Sequence, residues 1–154
     1  MTVTDEALST IRTTEITQLL YRLYALMDDR DFDRVGELLT EDATGRTPGG
    51  LAEGRAALVA QARRGHASTP RLMHRVSNVL VDDEDDDHAT VRAVIEAVFA
   101  EDDGEPVYRI GELYQARARR ESGRWRIAGF TMRPVWQTGR RPSAVQVAAP
   151  TTDG

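Results

Sequence analysis

Three ionisable side chains in this sequence occupy positions that a fold would turn inward. Asp28 follows Tyr24 by four residues and Tyr21 precedes Tyr24 by three, so on a helix the three are neighbours. Their face borders an apolar stripe made of Ile16, Leu19, Leu20, Leu23 and Met27, which recur at spacings of three and four. A carboxylate there sits at the wall or mouth of an interior, where partial burial raises its pKa and suits it to general acid–base work. The plainer reading is that Asp28 caps or ends a helix among Asp29, Arg30 and Asp31. His74 shares a strand face with Val76, Asn78 and Leu80. An inward imidazole there can shuttle protons near neutral pH, or can simply be a core histidine bonded to backbone or to a carboxylate. Glu112 is the only charge on the face Tyr108, Ile110, Glu112, Tyr114, Ala116 and Ala118. Such a carboxylate is costly unless protonated or paired, with Arg92 and Arg133 as candidate partners.

Around these three, Tyr24 is a further proton carrier, and Tyr21, Asn78, Tyr114 and Trp136 are expected to contact a substrate. The Asn78 amide would orient a carbonyl. His66 and His88 fall in loop or turn contexts and read as surface residues. The run Asp82 to Asp87 lacks the central glycine and alternating ligands of a calcium loop, and reads as a solvated hairpin tip. No metal site or cofactor is expected. Phosphate-cradling glycine loops, HExxH and GxSxG are all absent.

The elements that position these residues follow from hydrophobic period. A helical pattern begins near Thr14, a short second helix carries Phe32, Val35, Leu38 and Leu39, and residues 40–50 carry turn chemistry ending in Pro48-Gly49-Gly50. A third helix covers about 53–64, with Ala56, Leu58, Val59 and Ala62 inward and Gly65 as its stop. After Pro70 the period changes to two, and strands are predicted over 71–82, 88–101, 106–119 and 124–136. Helices first and long hairpin-linked strands after make an α+β layout. Strands of this length accumulate twist, so the expectation is a cone-shaped barrel: a strongly curved antiparallel sheet wrapped by about three N-terminal helices around an interior pocket. One domain over 1–137 and a flexible tail over 138–154 are expected.

Composition narrows the chemistry. The chain has 154 residues, 40% of them hydrophobic, which suits one core. It has no cysteine and no lysine, which excludes disulfides, thiolate catalysis and lysine Schiff bases. A net charge of −5 without a basic stripe argues against nucleic acid as a partner. No apolar run approaches the roughly 20 residues that span a bilayer, and the acidic start lacks a signal-peptide pattern, so a cytoplasmic location with no membrane partner is expected. The outward face with Arg109, Leu113 and Arg117 is a candidate homodimer surface.

Several segments resemble a known family. Tyr24 to Asp33 (Tyr-Ala-Leu-Met-Asp-Asp-Arg-Asp-Phe-Asp) is similar to the first-helix signature of the SnoaL-like group of the nuclear transport factor 2-like superfamily. Glu41-Asp42-Ala43, Glu53 to Leu58, Arg71-Leu72-Met73-His74, Gly111-Glu112-Leu113-Tyr114, Gly123 to Ile127 and Arg133 to Trp136 follow in that family's order. The resemblance is nearest to scytalone dehydratase-like proteins, and it implies that Asp28 and His74 line a common pocket. Two departures are Met27, where that pattern has tyrosine, and a strand from Ala93 to Phe99 that offers no second histidine. The groups available suit a cofactor-independent enzyme, a lyase (dehydratase), isomerase or cyclase, acting on a small apolar oxygenated substrate. His74 would be the base or acid, Asp28 its orienter, and Glu112 or Tyr24 the replacement for the missing group. Polyketide-like natural-product biosynthesis is the setting the resemblance implies. The alternative is a non-catalytic binding or accessory protein that uses the same pocket.

Overall fold

The computed structural model describes residues 2–67 and 71–142. Its first helix, α1 (Asp5–Asp28), begins where Thr4 accepts the Ala7 N–H on its side-chain oxygen, with Asp5 and Glu6 facing the positive end of the helix dipole. Of the stripe read from spacing, Ile16, Leu19, Leu20 and Leu23 are buried and Met27 is half-buried, while Tyr24 joins the buried face. Arg30, at φ +58°, turns the chain, and Asp31 caps the short α2 (Phe32–Glu37), which buries Phe32 and Val35.

Where turn chemistry was expected, the chain forms two strands, β1 (Leu39–Thr47) and β2 (Gly50–Glu53), joined by a Pro48-Gly49 turn. Acidic residues, glycine and proline give this segment little intrinsic strand preference. It becomes strand because β1 pairs in parallel with the last strand, Gly45 opposite Phe130. A Cβ at Gly45 would meet the Phe130 ring at 2.5 Å and Leu58 at 2.6 Å, so glycine lets both pack against β1. Next, α3 (Arg55–His66) is fastened at its start by the Arg55 guanidinium, which donates to the Leu39 carbonyl at 2.8 and 3.1 Å.

The remaining strands are β3 (Arg71–Asp83), β4 (His88–Ala100), β5 (Pro106–Glu121) and β6 (Arg124–Gly139), an antiparallel meander. The full sheet has the order β2-β1-β6-β5-β4-β3. The barrel expected from strand length is therefore corrected. The fold is α+β with three helices among the described residues, but its sheet is mixed, not purely antiparallel, and is neither closed nor strongly curved. Long strands do not by themselves force closure: β2 and β3 stand at opposite edges and never pair, and helices cover the inner face where a barrel would use more strand. Thr138 and Gly139, first residues of the expected tail, end β6; the tail from residue 143 lies outside the described residues. Among the described residues no helix is long and apolar enough to cross a membrane.

Bulges decide which side chains reach the interior, and two of them place Asn78 and Trp136. Between Ser77 and Leu80 the partner strand advances only from Val94 to Arg92, so β3 carries one extra residue. Asn78 takes it up at φ +50°. Val79 then packs on the core, while Asn78 turns outward and is exposed. In β6, Val135 is the extra residue between Pro134, opposite Glu112, and Trp136, opposite Gly111. The indole of Trp136 consequently lies over Gly111 on the outer face, 41% exposed, with the Arg109 guanidinium 5.9 Å from its ring.

The left-handed backbone at Asn78 gives a first expectation. Asn78→Gly should fold with unchanged or slightly higher stability, whereas Asn78→Val should lose about 1–2 kcal/mol, because a β-branched residue is strained there. Urea unfolding midpoints of the two variants check this; equal midpoints would refute the bulge assignment.

Candidate active site

Asp28 is the last residue of α1, and its carboxylate reaches β3, not its own helix end. It accepts the His74 backbone N–H at 3.0 and 3.2 Å and faces His74 Nδ1 at 2.6 Å. A carboxylate can only accept, so Nδ1 carries a proton, and the tautomer this contact selects is the one with its lone pair on Nε2. The His74 side chain is 8% exposed and Asp28 24%, so the pair is shielded but not sealed. One turn back on α1, the Tyr24 ring lies 5.0 Å from the His74 ring and 6.1 Å from Tyr114. Burial first, then the neighbouring Tyr114 and Glu112, push the Tyr24 hydroxyl pKa well up, so it stays a proton donor.

These residues wall a cavity of about 440 Å³. Leu23, Met27, Val35, Leu39, Leu58, Phe99, Ile110 and Phe130 make it largely apolar, while Tyr24, His66, His74, Glu112 and Tyr114 are among its polar groups, with Thr47, Gln61 and Arg64 also on the lining. Asp28 stands behind His74 and does not line it. Glu112 is 7% exposed, and no arginine among the described residues pairs with it. Of the candidate partners, Arg92 is exposed and Arg133 registers with Leu113, on the other face of the sheet. Burial pushes the Glu112 carboxyl up to about 7, where it can hold or release a proton near neutrality. Tyr114 is 1% exposed, stacks on Phe130 at 5.6 Å, and buries a hydroxyl with no partner among the described residues.

The structure thus brings together Asp28, His74, Tyr24, Glu112 and Tyr114. It leaves out Tyr21, which is 42% exposed on α1, and Asn78 and Trp136, which the bulges turn away. One residue enters unannounced. His66, read from sequence as a surface residue, ends α3 against the cavity, 5.9 Å from the His74 ring and 5.6 Å from Phe32. The signal was present: Leu58, Ala62 and His66 recur at intervals of four on one helix face. Gly65, taken as a stop, concealed it, because α3 runs through Gly65 to His66. Among the described residues no three metal-ligating side chains converge.

Comparisons with known proteins agree with this architecture. The sequence pattern of the SnoaL-like domain matches residues 10–131. No curated protein matches the chain. A protein from Novosphingobium aromaticivorans DSM 12444, described as a candidate scytalone dehydratase, superposes with a TM-score of 0.81 at 19% identity, over 96% of this chain and 97% of that one. LinA-type3 hexachlorocyclohexane dehydrochlorinase from Novosphingobium barchaimii LL02 superposes with a TM-score of 0.78 at 15% identity, over 95% of this chain and 100% of that one. Rv3472 of Mycobacterium tuberculosis, of unknown function, gives a TM-score of 0.74 at 24% identity, over 95% of this chain and 82% of that one.

Glu112 makes stability depend on pH. Its carboxyl ionises near 4.5 when unfolded and near 7 when folded. Between these values the unfolded chain releases a proton that the folded chain keeps, so stability falls as pH rises through that window and is unaffected by this group outside it. The loss should total about 3 kcal/mol, order of magnitude. Glu112→Gln should remove that slope. Urea unfolding of both proteins at pH 4 and pH 8 checks it, and parallel pH profiles would contradict the burial of an unpaired carboxyl.

Proposed function

The chain belongs to the SnoaL-like family of the nuclear transport factor 2-like superfamily, and from that premise we propose that it is a cofactor-independent acid–base enzyme for a small, largely apolar, oxygenated substrate. The observation that carries the proposal is the 2.6 Å contact of Asp28 with His74 Nδ1 on the wall of an apolar cavity. It fixes the tautomer that leaves Nε2 as a base, and it stabilises the imidazolium formed when Nε2 takes a proton. A positioned base of this kind contributes about 10²–10⁴-fold to rate.

The reaction begins at a C–H next to a carbonyl. His74 Nε2 takes the proton, and the electron pair moves toward the carbonyl oxygen, where a tyrosine hydroxyl (Tyr24 or Tyr114) donates a hydrogen bond. In a dehydration the pair then forms a C=C bond as the β C–O bond breaks, and the hydroxyl leaves as water with a proton from Glu112 in its acid form. In an isomerisation or cyclisation the same proton transfer precedes a different destination for the electron pair. The names of two structural neighbours, a dehydratase and a dehydrochlorinase, favour elimination. Tailoring of polyketide-like natural products is a setting that needs this chemistry. A purely binding role is disfavoured because the polar groups are not all neutralised: Glu112 pairs with no arginine among the described residues, and the His74 ring is held through Nδ1, away from Nε2.

Exchange of the α-hydrogens of α-tetralone in heavy water, followed by NMR, tests the base. The unchanged protein should accelerate exchange above buffer, and His74→Ala and Asp28→Asn should each lower the acceleration about 10²-fold or more. Near-UV circular dichroism confirms folding. Exchange no faster than in buffer, or undiminished in either folded variant, overturns the reading.

A further inference from the structure

His66 is absent from the proposed chemistry, yet it is poised for a ligand. Its Nδ1 lies 2.6 Å from the Ala62 carbonyl, and a carbonyl oxygen only accepts, so Nδ1 bears the proton. Burial, reinforced by His74 and Arg30 and opposed by the Ala62 bond and Asp28, holds the ring's pKa below its ordinary value, which favours the neutral form. The free lone pair therefore sits on Nε2, and that atom is buried with no hydrogen-bond partner among the described residues. The ring cannot readily turn to relieve it: turning would break the Ala62 bond, and Phe32 packs on it, itself covered by the Arg63 guanidinium at 5.8 Å.

We propose that His66 Nε2 is a specificity-determining acceptor for a hydroxyl group of the ligand, so that the cavity selects alcohols or phenols over ethers of the same shape. The inference rests on the reading of the cavity as the substrate site. An unpartnered buried acceptor discriminates strongly, because a ligand without a donor leaves it unsatisfied. It also shares the cavity wall with other polar rings. The His74 ring is 5.9 Å away, Tyr24 lies 5.0 Å from His74, and Tyr114 lies 6.1 Å beyond Tyr24 with its own unpartnered hydroxyl. A ligand hydroxyl at His66 would thus lie close to the base.

The test measures binding, not turnover. 4-tert-Butylphenol and its methyl ether are titrated calorimetrically into the full chain. The phenol should bind the unchanged protein about tenfold more tightly than the ether, the worth of one well-made hydrogen bond. His66→Phe should reduce that preference to within about twofold while retaining the ether, and His66→Gln, which restores an acceptor oxygen, should recover part of it. In nitrogen-15 histidine-labelled protein, the phenol should shift the His66 Nε2 resonance and the ether should not; this decides the matter if His66→Phe fails to fold. Equal or absent binding of the two probes to the unchanged protein overturns the proposal. So does a preference that survives in folded His66→Phe, or one lost in His74→Ala, which would put the hydroxyl at His74. If the preference stands while the exchange test fails, His66 selects a ligand that the cavity does not transform.

Discussion

The contact between Asp28 and His74 holds the molecule's two layers in one register. A single carboxylate receives both the backbone N–H and the ring N–H of a residue 46 positions later, so it fixes where the end of α1 meets β3 and how the imidazole is turned. Charge-assisted hydrogen bonds of this kind contribute about 1.5–3 kcal/mol each in mutational series, more than a neutral bond. Their geometry matters beyond stability. A helix end displaced by one residue would leave a buried imidazole without its partner and a carboxylate facing apolar walls.

That contact is the satisfied member of a set that is otherwise unsatisfied. Glu112 is buried without a counter-ion, Tyr114 buries a hydroxyl and His66 a lone pair, each without a partner among the described residues. A core optimised for stability would replace such groups with apolar ones of similar volume. Their convergence on one cavity, against a surrounding core of aliphatic and aromatic residues, is where local structural rules yield to chemistry. The pKa displacements of Tyr24 and Glu112 have the same leading cause, loss of water around them, and both keep protons on groups that face the cavity.

Period carried much of this into the sequence. The stripe of α1, the alternation of β4 and β5, and the inward positions of His74, Glu112 and Tyr114 all follow from spacings of 3.6 and 2. The failures have a common physical origin in single inserted residues and in pairing across long distances. A bulge changes strand parity by one, so alternation read past Ser77 assigns Asn78 to the wrong face, and the extra residue after Pro134 turns Trp136 outward. No local composition marks Val135 as an extra residue; its role is defined only by the pairing of Glu112 with Pro134 and Gly111 with Trp136. Likewise β1 is a strand because β6 lies beside it, a partner 85 or more residues away that its own glycine and acids do not announce. The open edges of the sheet were hidden for the same reason, since only the β1–β6 pairing makes the sheet mixed and places β2 at its rim.

An open sheet still encloses a cavity because helix coverage, not strand closure, sets the enclosed volume. Along the inner face of β4, Ala89, Val91, Ala93 and Ile95 pack with Ile16, Leu19, Leu20 and Leu23 of α1 in one continuous core. Farther along, Ala97 and Phe99 form a separate small cluster with Tyr108 and Ile110. His74 stands opposite Ala97 in the β3–β4 register, and it is there that Asp28 ends the helix. The cavity lies at this junction, where α1 stops but the sheet continues, with α3 forming the opposite wall from Leu58 to His66. Small side chains at Ala62 and Ala97 border the space, and the last turn of α1 supplies the carboxylate that holds the His74 ring on its wall. The residue that terminates coverage is thus also the residue that holds the His74 ring, so the position of the void and the orientation of the imidazole on its wall are set by one helix end.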